Sequence, residues 1–354
     1  MHAPRKSRAD RILNVLPLHH VHGVMGVALS ALYAGATLEM LPKFDAAATL
    51  AALTRPPDAA VPAPTLFMAV PTVYSKLLEH LAALDAPARD ALCAAMRSPS
   101  SPVRLMVSGS AALPESVARA WREASGHTLL ERYGMTEFGL AISNPLHGPR
   151  IPGKVGRPVG AFEHRIVDET APADAVPPLV APGVAGELQL RGPGVFAGYW
   201  DRPDATAETF TPDGWFRTGD LAIEDAPPGA PPGTAGGPIS IAGRLSADII
   251  KSGGYKISAL DIERELLEHP DIAEVAVLGV PDETYGERVA AVIVRRSGAT
   301  DGAGLDLKAW ASKRLAGYKV PSIERVVAAI PRNAMGKVNK KSLRAELFPP
   351  KATQ

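Results

Sequence analysis

Cysteine occurs once, as Cys93, which excludes an intrachain disulfide and any zinc site built from several thiolates. A reducing compartment is the natural setting. Charge of either sign is not in surplus: 38 Lys and Arg face 37 Asp and Glu, a net +1. That balance argues against a nucleic-acid binder, which needs a basic excess facing phosphates. No run reaches about 18 uncharged apolar residues, so nothing reads as a membrane span. Met1 to Arg8 is basic and acid-free but far too short for a signal or transit peptide, and no targeting peptide is visible. Nucleotide signatures recognised by spacing are missing as well. There is no GxxxxGK[ST], GxGxxG, HExxH or GxSxG. No internal repeat is present.

Proline and glycine are plentiful, 34 and 32. Asp225 to Pro238 (DAPPGAPPGTAGGP) is low-complexity and reads as a mobile surface excursion, and Pro172 to Pro182 reads similarly. At roughly 150 residues per domain the 354-residue chain predicts two or three domains, large enough to bury a core without staples. The first half alternates strand and helix signals. Arg11–Leu18, Thr37–Leu41, Thr65–Val70 and Val103–Ser108 predict strands; Val24–Ala34, Thr72–Leu84 and Pro114–Ser125 predict helices. That alternation implies a parallel, layered α/β domain. From about Phe162 strands follow without helices (FEHRIVD, GELQLRG), predicting an antiparallel subdomain. After Gly243 comes a third style. Ser258 with Asp261 reads as a capping box before a helix ending near His269. Strands are predicted at Ile272–Val280, Val289–Arg295 and Ile323–Ile330, with a helix over Leu307–Leu315.

Five stretches carry usable chemistry. Tyr133 to Glu137 (YGMTE) puts a hydroxyl and a carboxylate after a glycine, suited to a phosphate oxygen and its Mg²⁺, or else it is a helix N-terminus with ordinary caps. Thr218 to Leu221 (TGDL) places an Asp after a glycine turn, able to accept ribose hydroxyls, or is a plain turn. Gly243 to Tyr255 (GRLSADIIKSGGY) joins two composition styles and is either a ligand-contacting hinge or a simple linker. Pro331 to Lys341 (PRNAMGKVNKK) sets Lys337 after a glycine, where it can meet developing negative charge or form a solvated basic tail. Pro17 to Gly23 (PLHHVHG) groups three histidines after the first strand. His20 and His22 have no evident third metal ligand, so a pocket lining is the more natural reading.

The order and spacing of these stretches, from Asp10 to Phe348, resemble the adenylate-forming (AMP-binding) acyl-CoA synthetase superfamily. The runs LLERYGMTE, VSGSAALP and PRNAMGKV are most similar to its malonyl-CoA/methylmalonyl-CoA synthetase branch. The resemblance implies ATP and CoA as cosubstrates, Mg²⁺ as cofactor, and a carboxylate activated as an acyl-adenylate before transfer to a thiol. It makes Thr136 the phosphate contact and Glu137 the Mg²⁺ ligand. Gly109, Ser110, Ala111, Tyr133 and Gly134 flank the nucleotide and acyl pocket. Asp220 and Arg244 hold the ribose, Lys337 is the adenylation lysine, and His20 is the pocket histidine. Gly253 and Gly254 line the CoA channel, and Arg132 pairs with the distal carboxylate of a dicarboxylic acid. A short- or medium-chain acyl-CoA ligase and a catalytically impaired fragment are the alternative readings.

By resemblance, residues 1–160 form the α/β part of the AMP-binding domain, 161–243 its β-rich subdomain, and 244–354 a small mobile α+β C-terminal domain hinged at 244–247. Ser246 stands where many relatives have Asp or Lys. The family's phosphate loop lies upstream of PLHHVHG, and only sixteen residues precede that segment here. The chain therefore reads as truncated, with an apolar face expected where further layers pack. The expected partners are small molecules, with no nucleic acid and no membrane. The expected state is a monomer, and the expected compartment is mitochondrial by resemblance, otherwise cytoplasmic.

Overall fold

A computed structural model describes residues 6–56, 58–172, 175–227, 229–231, 233–296, 306–333 and 337–349. Seven strands build the first sheet: β1 Arg11–Asn14, β2 Thr37–Met40, β3 Leu66–Ala69, β4 Leu105–Gly109, β5 Leu130–Met135, β6 Gly139–Ser143 and β7 Arg157–Pro158. Their order is β2-β1-β3-β4-β5-β6-β7. The first five run parallel, and β6 and β7 turn antiparallel. Side chains alternate between two cores, as strand geometry requires. Leu13, Phe67 and Met106 face one side, packed with Tyr74 and Trp121. Ile12, Leu66, Met68, Leu105 and Val107 face the other, with Val27 and Ala31.

The first face carries helices α2 Ala46–Leu53, α3 Pro71–Ala83, α4 Ala86–Arg97 and α5 Glu115–Ser125, following α1 Ser30–Ala34 in the chain. In α3, Val73, Tyr74, Leu77 and Leu81 are buried as the helical period demands. The Tyr74 hydroxyl donates to Val107 O at 2.8 Å. The second face is thinly covered. The helix predicted at Val24–Ala34 is a π-helix over His22–Leu29 that passes into α1. Its outward residues Met25, Leu29, Leu32 and Tyr33 stay exposed, Tyr33 almost fully at 97%. Together these side chains make an exposed apolar face.

A second, four-stranded sheet has the order β11-β10-β9-β8, from β8 Glu163–Val167, β9 Gly186–Arg191, β10 Phe216–Glu224 and β11 Ile239–Arg244. Helix α6 Pro203–Thr209 precedes β10. The Pro172–Pro182 stretch is not wholly a free loop: Leu179 bridges Val167, and Val180 N–H donates to Ile166 O at 3.0 Å. The described residues of 225–238 hold no helix or strand apart from turns, and residues 173, 174, 228 and 232 lie outside the described set.

The chain divides into two units: Met1–Thr218 with Ile223–Ile241, and Gly219–Ala222 with Ala242–Gln354. The second unit is α+β. It contains β12 Ile249–Ser252, β13 Tyr255–Ser258, α7 Ala259–Leu266, β14 Ile272–Asp282, β15 Gly286–Arg295, α8 Leu307–Ser312, β16 Ile323–Val326 and α9 Lys340–Leu347. The long β14–β15 hairpin is its spine, with β12 and β16 also paired to β15. Ser258 Oγ accepts the Asp261 N–H at 3.2 Å, so the predicted cap starts α7. The strand predicted to Ile330 stops at Val326, and Ile330 is instead buried beside Leu343 of α9.

Candidate active site

In the first unit, the C-terminal ends of parallel strands converge, the place where α/β sheets bind ligands. Strand β4 delivers Gly109, which pairs with Arg132 of β5, and then Ser110 and Ala111. Ser110 adopts φ +69, a left-handed backbone that is strained for a serine. Its hydroxyl lies 3.1 Å from His22 Nδ1. His22, first residue of the π-helix, is therefore the imidazole that meets Ser110. The Nδ1 of His20 accepts the His22 backbone N–H at 3.1 Å and shapes the turn. His22 is the residue that sequence reading passed over in favour of His20. Its sole signal was membership of the histidine trio. Among the described residues no group of three His, Cys, Asp or Glu side chains could hold a metal.

Arg132 and Glu131 diverge as neighbours on a strand must. Glu131 Oε1 accepts the Gly153 N–H at 3.0 Å. Arg132 turns inward, where its Nη2 lies 3.4 Å from Met68 Sδ. Among the described residues no carboxylate forms an ion pair with it. Burial lowers its pKa to about 10. Lys6 shares this electropositive region. Its ammonium donates to Gly26 O at 2.6 Å and to the Ser30 hydroxyl. Burial, then the charge of Arg132, lowers Lys6 to about 7 against a smaller pull from Asp10. Asp10 is itself taken by Arg104 through two contacts of 2.9 Å.

The YGMTE run is not a helix N-terminus. Tyr133, Gly134 and Met135 end β5, and Thr136 and Glu137 form the turn into β6. The register slips between Tyr133 and Gly134, where a Cβ on Gly134 would collide with Gly139 O. Thr136 is exposed; Glu137 is half-buried, and its Oε1 accepts the Tyr199 hydroxyl at 2.9 Å. Tyr199 was not foreseen, since 62 residues separate it from its partner. One oriented carboxylate suits Mg²⁺, whose remaining ligands are ordinarily water and substrate phosphate rather than a protein cage. Glu137 thus fits that ion.

The second unit gathers a different set. Asp220 is buried, and its Oδ1 lies 3.1 Å from Arg244 Nε. Lys337 is exposed, yet partial desolvation, then the Arg244 charge, lowers its pKa against the pull of Asp220. These three functional groups therefore share one electrostatic neighbourhood. Gly253 and Gly254 make the two-residue turn between β12 and β13, with φ +55 and +83, values that favour glycine at both positions. Gly253 N–H donates to Tyr285 O at 2.9 Å.

Comparison with known proteins joins these features. Residues 1–200 match the AMP-binding enzyme family, and residues 261–337 match the AMP-binding enzyme C-terminal domain. The chain is 48% identical to the mitochondrial malonate–CoA ligase ACSF3 of Mus musculus, covering 99% of this chain and 60% of that protein. It is 41% identical to the malonate–CoA ligase of Arabidopsis thaliana, over 96% of this chain and 54% of that protein. ATP-bound MatB from Rhodopseudomonas palustris superposes with a TM-score of 0.80 at 34% identity, covering 97% of this chain and 61% of that one. The chain thus spans about three fifths of the length of its curated relatives. An acyl-CoA-ligase-like fold, the ordered Glu137 turn, the Asp220–Arg244–Lys337 group and both family matches point the same way: the chain belongs to the AMP-binding enzymes.

Proposed function

We propose that the chain is an ATP-dependent acid–thiol ligase that activates malonate or methylmalonate as an acyl-adenylate and passes it to CoA. One observation carries the choice of acid: Arg132 is a partly buried residue whose guanidinium is desolvated and has no carboxylate partner among the described residues. An unpaired buried charge costs several kcal/mol, and a monocarboxylic acid would leave that cost in place. A dicarboxylate supplies the partner at its distal end through a bidentate pair. The malonate–CoA ligases among the relatives support the same acid.

In this reading Asp220 accepts the ribose hydroxyls and Arg244 braces it. Thr136 donates to the α-phosphate, and Glu137, oriented by Tyr199, holds Mg²⁺, which supplies Lewis-acid stabilisation of phosphate charge. Lys337 neutralises the negative charge that gathers between carboxylate and phosphate as the acyl–oxygen–phosphorus bond forms and pyrophosphate leaves. Rotation of the second unit about residues 244–247 then withdraws Lys337 and brings the Gly253–Gly254 turn to the site for thiol attack and AMP release. The names of the relatives favour a mitochondrial location.

The test is AMP release by the 354-residue chain with ATP, Mg²⁺, CoA and malonate, methylmalonate or acetate, with Lys337→Ala as background. Malonate-dependent release that Arg132→Met reduces about 30-fold or more, the equivalent of 2 kcal/mol or above for an unpaired charge contact, is the expected outcome. Equal use of acetate and malonate by the unmodified chain would sink the dicarboxylate assignment.

A further inference from the structure

Lys340 is the first residue of α9, three positions after Lys337. A cation there is unfavourable for the helix itself, because the N-terminal end of the macrodipole is positive. The side chain is nevertheless buried, 10% exposed, with Nζ 2.6 Å from Asp248 Oδ1 and 2.7 Å from Glu263 Oε1. Each carboxylate is separately fixed to backbone. Asp248 Oδ2 accepts the Arg244 N–H at 3.0 Å, and Glu263 Oε1 accepts the Val277 N–H at 2.8 Å. Burial pulls the Lys340 pKa down, but the two carboxylates outweigh it and hold the ammonium charged.

The other end of this arrangement is the segment carrying Lys337. Lys337 N–H donates to Asn333 Oδ1 at 2.9 Å, and Lys337 O accepts the Asn333 N–H at 2.9 Å. Asn339 then caps α9 by accepting the Ser342 N–H at 3.1 Å. On the opposite side, the turn after β11 closes through Asp248 N–H to Arg244 O at 2.8 Å. A continuous path therefore runs from Asp220 through Arg244, Asp248 and Lys340 to Lys337, entirely within the second unit.

We propose that Lys340 is a positioning residue: it ties the segment bearing Lys337 to the turn bearing Arg244, so that the two cations are set as one rigid group. The proposal rests on the reading of Lys337 as the adenylation lysine, but its geometry is independent of turnover. Glu263 adds the third anchor from α7, so that the tie is held on two sides.

The experiment is trace acetylation of the full 354-residue chain with acetic anhydride between pH 7 and 11. Mass spectrometry would follow Lys337 and the exposed Lys43 as an internal reference. In the unmodified chain Lys337 acquires label with a midpoint below that of Lys43. Lys340→Met raises the Lys337 midpoint to that of Lys43, and Lys340→Arg keeps it low. A Lys337 midpoint unchanged in folded Lys340→Met overturns the proposal, because a structural ion pair alone leaves Lys337 untouched. Where Lys340→Met fails to fold, Asp248→Asn keeps Lys340 paired with Glu263 and carries the same expected rise, and an unchanged midpoint there overturns it equally. Failure of the ligase reading looks different: no AMP forms, while the Lys337 midpoint still follows Lys340.

Discussion

Two cations are buried in this chain in opposite ways, one in each unit. Lys340 sits between Asp248 and Glu263, both within 2.7 Å. Among the described residues Arg132 forms no ion pair; its Nη2 lies 3.4 Å from the Met68 thioether sulfur, and Lys6 is a like-charged neighbour. Burial lowers both pKa values, yet Lys340 ends raised because carboxylates answer it, and Arg132 ends lowered because none does. The difference separates a charge answered inside the fold from one that, in the function proposed above, is answered by an anionic ligand. A matched buried pair is destabilising to break, whereas an unmatched charge is destabilising to keep.

The largest expected effect breaks that comparison directly. Lys340→Met leaves two carboxylates facing each other in a buried site and should lower the stability of the second unit by about 3–5 kcal/mol. Arg132→Met should act in the opposite direction, raising stability by about 1 kcal/mol or more, since an apolar side chain replaces an unpaired charge. Urea titrations followed by fluorescence and circular dichroism measure both. A destabilised Arg132→Met would mean that the guanidinium already has an internal role, and the argument for an anionic ligand would lose its basis.

Much of this contrast was legible beforehand, though unevenly. Short, continuous apolar runs around Ile12–Leu13, Leu66–Met68 and Leu105–Val107 gave away strands buried on both faces, because such a strand needs an apolar side chain at every position. Ser258 announced α7 by local chemistry alone. Arg132 could be singled out because its place before YGMTE is a matter of sequence. The partners of Lys340 lie 77 and 92 positions earlier in the chain, so the basic run PRNAMGKVNKK read as a solvated tail around one useful lysine. The π-helix was equally hidden. His22–Leu29 is rich in small apolar residues, and nothing in an apolar pattern distinguishes a five-residue hydrogen-bond step from a four-residue one. His22 meets Ser110 at the start of that π-helix, where Ser110 has a left-handed backbone.

Lys6 sharpens the comparison through pH. Its pKa falls from 10.5 to about 7, with burial the first cause and the Arg132 charge the second. Between those values the unfolded chain carries a proton that the folded chain has shed, so stability should rise with pH across that window. Below about pH 7 both states are protonated and the cost of burying the ammonium is fully present. The difference in melting temperature between the unmodified chain and Lys6→Met should therefore shift in favour of the unmodified chain from pH 7 to 10. The same site makes a binding prediction. A dicarboxylate entering beside Arg132 raises the Lys6 pKa, so malonate binding near pH 8 should take up protons. Calorimetry in buffers of different ionisation enthalpy reads that uptake, and its absence in Lys6→Met would assign it.

The smallest effect concerns an anion that is held without being neutralised. Among the described residues the Glu137 carboxylate accepts one hydrogen bond, 2.9 Å from the Tyr199 hydroxyl, and no cation pairs with it. Tyr199→Phe keeps the ring that packs edge-on against Phe196 at 4.9 Å and removes only the donor. A hydrogen bond of this kind is worth about 0.5–1.5 kcal/mol net, so the Mg²⁺ concentration for half-maximal AMP release should rise about 2- to 13-fold. Saturating Mg²⁺ should restore the rate, because the carboxylate itself remains. Loss of activity that Mg²⁺ does not restore would place Tyr199 in contact with substrate and not behind the carboxylate. An unchanged Mg²⁺ dependence would mean that Glu137 holds its orientation through the Phe196 N–H to Glu137 O contact of 2.7 Å alone, with the backbone of the turn fixing the side chain.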